Sequence, residues 1–130
     1  MLIRPHPREN IDVYQGVTSE LVQIVHRHGG EPHALMMSAD AVVGMNTMFL
    51  VESAYLNCPT VSIRLEIPLP DSFPPNRSGL IPAVYREGDV RPMLEGLLAG
   101  RDAGLKGTGF PPDNASGDVA KLIYSMLDLK

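Results

Sequence analysis

The chain predicts an α/β domain, an open parallel sheet of four to five strands with helices on both faces. Three observations carry this. Short β-branched apolar runs alternate with segments of helical spacing. Residues 38–65 read as strand, tight turn, helix and strand, and a unit this compact implies parallel pairing with a right-handed crossover. The chain has 130 residues, 44% hydrophobic and 20% charged, with a mean hydropathy of −0.01, which suits one globular domain with a real core.

The elements follow in order. Residues 1–4 form a first strand, stopped by Pro5-His6-Pro7. Residues 8–14 carry a short helix with Ile11 and Tyr14 inward, ended by Gly16. Residues 20–27 fit either a helix capped by Thr18 or Ser19 or a second strand; the β-branched content and the following Gly29-Gly30 favour the strand. Pro32 suits the first turn of a helix over residues 32–38, with Leu35 and Met36 inward.

The central unit comes next. Residues 41–43 make a strand, Gly44-Met45-Asn46 breaks it, and residues 47–56 form a helix with Met48, Val51 and Tyr55 on one face. Asn57 and Pro59 stop that helix. Residues 60–65 return to strand. Residues 66–79 hold four prolines and read as a long irregular loop, functional or flexible. Residues 80–85 form a strand whose Pro82 suggests a sheet edge. Asp89 caps a helix over residues 90–99, with Met93, Leu94, Leu97 and Leu98 inward. Residues 100–115 are a second flexible, Gly/Pro-rich loop. Ser116 or Asp118 caps a last helix with Val119, Leu122, Ile123, Met126 and Leu127 on one face. One domain therefore spans residues 1–130.

Composition excludes several classes. The formal charge of −4 lacks the basic footprint of a sequence-independent nucleic-acid binder. The single Cys58 rules out an internal disulfide and a cysteine zinc cluster, and its place before a strand reads as a buried thiol. No apolar run approaches the ~18 residues of a membrane span, and Met1-Leu-Ile-Arg-Pro-His is not a signal peptide. A cytoplasmic protein is expected. Met36, Met37, Met45 and Met48 read as gap-filling core. His26, His28 and His33 make a weak ligand set without a placed carboxylate or thiolate, so no metal is expected. Ser38, Ser53 and Ser62 have no histidine placed by any motif, so no nucleophile–base pair is identifiable and the catalytic residues are unknown.

In open parallel sheets ligands sit beyond the carboxyl ends of the strands. Three features fall there: Pro5-His6-Pro7, the turn Gly44-Met45-Asn46-Thr47, and the Pro-rich loop. The turn leads into a helix N-terminus, which suits anionic oxygens; the same residues would also make a plain cap. Glu52 is the one acid on an otherwise uncharged helix. Arg77 in the loop is either a phosphate contact or a solvated loop residue.

The run from Ser38 to Thr47, then Glu52-Ser53-Ala54 and Asn57-Cys58-Pro59-Thr60-Val61-Ser62-Ile63, resembles the C-terminal nucleotide-sugar-binding domain of GT-B glycosyltransferases and of the related UDP-N-acetylglucosamine 2-epimerases. Ile3-Arg4-Pro5-His6-Pro7 resembles an element of capsule-polysaccharide, polysialyl and glycerol-phosphate transferases of that fold, and Arg8-Glu9-Asn10 echoes a run in the epimerases. The resemblance covers most of residues 2–98 and implies a three-layer Rossmann-like fold. It implies that His6 approaches the donor's phosphates or base. It also implies that the turn at Gly44, Asn46 and Thr47 meets the diphosphate and that Glu52 binds the ribose hydroxyls. A turn histidine held by a backbone hydrogen bond and a surface acid are the plainer alternatives. The sequence departs from the family at Asn57, where Gly is usual, and at Asn46-Thr47. It also lacks the acceptor domain and the opening Gly-rich loop. The implied function is the donor-binding half of a glycosyltransferase in surface polysaccharide synthesis, inactive alone and completed by a separate acceptor-domain chain, with no cofactor. The alternative is a non-catalytic remnant or a homo-oligomeric interaction module, since lost opening strands would leave a sheet edge for a homodimer or a partner.

Overall fold

A computed structural model describes residues 1–6, 8–25, 31–100 and 115–126 of the chain. They fall into two compact units, Met1–Leu35 and Met36–Lys130.

In the first unit, β1 (Leu2–Ile3) and β2 (Gln23–Ile24) pair in parallel, Leu2 opposite Gln23 and Ile3 opposite Ile24. The ladder extends through Gln23 N–H to the Met1 carbonyl at 3.0 Å and Val25 N–H to the Ile3 carbonyl at 2.9 Å. The strand reading of residues 20–27 therefore holds over the helical one, although only two residues carry it. The helix expected over residues 8–14 is a single 3-10 turn, Ile11–Tyr14. Asn10 explains the shortening: its side chain accepts the Asp12 N–H at 3.0 Å and offers the backbone a local alternative to a longer helix. His26 and His28 lie outside the described residues, as does most of the second Gly/Pro-rich loop.

α1 (Pro32–Ser38) opens on the expected proline, and Met36 within it is buried. The second unit continues with β3 (Val42–Gly44), α2 (Met48–Tyr55), β4 (Thr60–Ile63), α3 (Pro74–Arg77), β5 (Ala83–Val84), α4 (Glu87–Leu98) and α5 (Ala115–Met126). Its sheet runs β3–β4–β5, all parallel, with Val43 opposite Val61 and Ile63 opposite Val84. β5 is at the edge, where Pro82 is tolerated.

Strand side chains alternate between faces, and this sorts the helices. Thr60 Oγ1 lies 2.9 Å from Ser53 Oγ of α2, so Thr60 faces α2. Val61 points the other way and packs with Val84 and Leu97 of α4. The sheet thus has a helix on each face. The α2 side holds Met36, Val42, Leu50, Val51, Ala54 and Ile81.

The structure is α/β with parallel strands, but several expectations are corrected. Among the described residues the strands form one two-stranded and one three-stranded sheet, not one sheet of four to five. Pro5 stops β1 after two residues, so its ladder is short. α2 buries Leu50, Val51, Ser53 and Ala54, while Met48 and Tyr55 of the expected face are exposed. A helix apolar nearly all round gives periodicity little to choose between. Met36 is core, but Met37, Met45 and Met48 are exposed, and Cys58 is half-buried. α4 starts earlier than expected, with Arg86 as its N-cap and Asp89 inside its first turn, and Leu98 is exposed. In α5, Val119, Leu122, Ile123 and Met126 form the expected stripe yet are exposed. No helix among the described residues is long and apolar enough to cross a membrane.

The Pro-rich loop is the largest correction. It contains α3, because prolines at the first two helical positions cost no hydrogen bond. Its Asp71 and Asn76 are buried.

Candidate functional site at the carboxyl edge of the sheet

The turn after β3 is built as the sequence suggests. Thr47 is the N-cap of α2, extended at φ −107°, and its hydroxyl accepts the Phe49 N–H at 3.3 Å. Asn46 and Thr47 are exposed. Gly44 has a packing role: a Cβ there would stand 3.1 Å from Leu50 Cγ, and Leu50 is wholly buried. α2 closes on Leu56, followed by Asn57 at φ 58°, a left-handed position that asparagine tolerates in place of glycine.

Glu52 lies on the exposed side of α2, between the buried Val51 and Ser53. Arg77 ends α3 and is exposed, whereas its neighbour Asn76 is buried. His6 belongs to the first unit. Its Nδ1 accepts the Arg8 N–H at 3.2 Å, and its backbone N–H donates to Glu9 Oε2 at 2.7 Å. Both bonds lie within its own turn. The structure therefore gathers Gly44, Asn46 and Thr47 in one turn, with Glu52 on the helix that follows.

The densest polar arrangement is one the motifs did not single out. Asp71 Oδ1 accepts the Phe73 N–H at 2.8 Å, and Oδ2 accepts Asn76 Nδ2 at 2.7 Å and the Tyr85 hydroxyl at 3.1 Å. Asn76 Nδ2 also donates to Ser62 Oγ at 3.0 Å. Ser62 Oγ donates onward to the carbonyl of Met45. Arg64 Nη1 stands 3.5 Å from Asp71 Oδ1. Ser62 lies near the end of β4 and Arg64 directly follows that strand, Tyr85 follows β5, and Met45 follows β3. The network thus ties the Pro-rich segment to the carboxyl end of every strand in the sheet.

Burial sets its electrostatics. Arg64 is 6% exposed and Asp71 3%. Burial pushes the Asp71 carboxyl up, but hydrogen bonds from Asn76, the Phe73 amide and Tyr85, with the Arg64 charge, outweigh it, and its pKa lies below the ordinary value. Burial, then the bond to Asp71, pushes the Tyr85 phenol up. Three buried atoms find no hydrogen-bond partner among the described residues: Arg64 Nε, Arg64 Nη1 and Asn76 Oδ1.

Chemically, the edge offers a helix N-terminus, a buried guanidinium and an exposed carboxylate one turn into the helix. No protein-family model matches the chain, and no curated protein or solved structure matches it significantly.

Proposed function

We propose that the second unit binds a nucleotide-diphosphate sugar at the carboxyl edge of β3–β4–β5, as the donor-binding half of a glycosyltransferase of surface polysaccharide synthesis. The observation that carries this is the turn Gly44–Thr47 opening onto the capped N-terminus of α2, at the edge where open α/β sheets take their ligands. The first-turn amides of a helix have no intrahelical acceptor and favour negative charge. In this reading the diphosphate lies against Asn46 and Thr47, and the Glu52 carboxylate accepts the ribose hydroxyls. Charge building on the departing diphosphate is stabilised by those amides. Arg77 is an outer contact to phosphate or base. A separate chain that supplies the acceptor site belongs to the same reading.

Calorimetry with UDP-, GDP- and CMP-linked donors tests it. Millimolar or tighter binding of the diphosphate donors, with the single-phosphate CMP-linked donor weaker, is expected. No heat from any of them at millimolar ligand ends the reading.

A second reading, a non-catalytic interaction module, draws on one observation. β3 is an edge strand of its sheet, and Val43, Met45 and Met48 at and after it are 48%, 59% and 64% exposed. Light scattering separates the two: a monomer at high concentration removes the homo-oligomeric module.

A further inference from the structure

The carboxylate and guanidinium of the buried network are unequally served. Asp71 receives three hydrogen bonds from Phe73, Asn76 and Tyr85. Arg64 carries five donors, yet its Nη1 approaches Asp71 only as an ion pair at 3.5 Å, and neither Nε nor Nη1 has a hydrogen-bond partner among the described residues. A cation 6% exposed and this poorly bonded is costly, and folded proteins seldom leave one so.

Its position says what would serve it. The Arg64 N–H donates to the Val84 carbonyl at 2.8 Å, so the strand geometry of β4 continues through it. Thr60, Ser62 and Arg64 then share a face, and Thr60 places that face under α2. Ser62 on the same face binds the carbonyl of Met45, two residues before the α2 cap. The one buried guanidinium among the described residues and the positive end of α2 therefore meet the same face at the same edge. Over Arg64 lies the segment of residues 66–79, pinned by Asp71 and Asn76 and bounded by two left-handed residues, Glu66 at φ 58° and Gly79 at φ 74°.

We propose that Arg64 is a phosphate-binding group held in reserve by Asp71: a diphosphate entering at this edge displaces the Asp71 carboxylate from the guanidinium, and residues 66–79 lift as it does. This rests on the proposed function only for the place where the ligand enters. Asp71 acts as the internal anion that a phosphate must outcompete, so the free chain is in its closed state.

The test compares the full chain with Asp71→Asn, using inorganic pyrophosphate at an ionic strength fixed with chloride. Removing the competing charge removes the closed-state penalty on apparent affinity, so Asp71→Asn binds pyrophosphate about 10-fold more tightly. Adding Arg64→Lys to that variant abolishes the gain. Hydrogen exchange of the amides in residues 66–79 accelerates when pyrophosphate binds the wild type. Equal affinity in wild type and Asp71→Asn, or exchange unchanged by pyrophosphate, overturns the proposal. Should Asp71→Asn not fold, Tyr85→Phe, which removes one bond to Asp71, must tighten pyrophosphate binding, and unchanged affinity there overturns it equally. A UDP-linked donor that binds both forms alike sinks the role of Arg64 and leaves the donor reading standing. Tighter pyrophosphate binding without any donor binding keeps Arg64 and sinks the donor reading.

Discussion

Asn76 Nδ2 donates to Ser62 Oγ at 3.0 Å, and Ser62 donates in turn to the carbonyl of Met45. One serine therefore joins the Pro-rich segment to the turn before α2. Both Ser62 and Asn76 are buried, so the bonds are not replaceable by water without opening the edge. Ser62→Ala removes the hydroxyl that accepts from the buried Asn76 Nδ2 and donates to the Met45 carbonyl, and leaving a buried polar group short of a partner costs ~1–3 kcal/mol. Urea unfolding should show a lower midpoint with an unchanged slope. A midpoint equal to that of the wild type would mean that the two segments are held by other contacts.

Gly44 and Leu50 constrain each other in the same region. A methyl group on residue 44 would lie 3.1–3.3 Å from three carbons of the Leu50 side chain, which is wholly buried. Overpacking of this kind costs ~1–3 kcal/mol. Gly44→Ala should destabilise by that amount, and Leu50→Val in the same chain should cost less than the sum of the two single changes, because the smaller side chain relieves the clash. Additive losses would show that the strain is relaxed elsewhere.

The network predicts a pH dependence with a definite sign. Asp71 is held below its ordinary value of 3.8, so it contributes stability above that value and loses it as pH falls through the lower, folded-state pKa. Tyr85 is raised above 10.0, so its contribution is complete below pH 10 and is lost as pH rises above it. Many carboxylates titrate in acid, so the quantity to measure is the stability difference between wild type and Asp71→Asn across pH 6 to 2. It should narrow below the ordinary carboxylate range. A difference that stays constant would mean that Asp71 keeps its charge unaided by its neighbours.

How much of this was legible follows from which signals are local. α1 was readable from Pro32, and the end of α2 from Asn57, because caps and prolines act within a few residues. The buried side of α2 was not, since Met48-Phe49-Leu50-Val51 offers no polar residue to orient it. The turn at Gly44, Asn46 and Thr47 was found by position, but the buried network beside it was missed. Part of its signal was present: Thr60, Ser62 and Arg64 are polar at a spacing of two inside an apolar strand, a stripe that marks one face. Asp71, Asn76 and Tyr85 carry no such pattern. Asp71 reaches Arg64 and Tyr85, and Asn76 reaches Ser62, only because the segment folds back, and contacts made across as many as 14 residues leave no period in the sequence. The length of β1 and β2 was overestimated for a related reason, since apolar runs state where a ladder is allowed and not how far its partner extends.

Glu52 separates the site from the scaffold. It is exposed on α2 while Leu50, Val51, Ser53 and Ala54 carry the packing. Surface substitutions of this kind change stability by about 0.5 kcal/mol or less, so Glu52→Ala should unfold close to the wild-type midpoint. A carboxylate that accepts ribose hydroxyls contributes charge-assisted hydrogen bonds of ~1.5–3 kcal/mol, which corresponds to a loss of about 10- to 100-fold in donor affinity. Glu52→Gln keeps the shape and one acceptor oxygen, so it should fall between the two. The pairing of readouts decides the matter. Affinity lost at constant stability assigns Glu52 to the ligand, whereas unchanged affinity leaves it as a surface acid and moves the ribose away from α2.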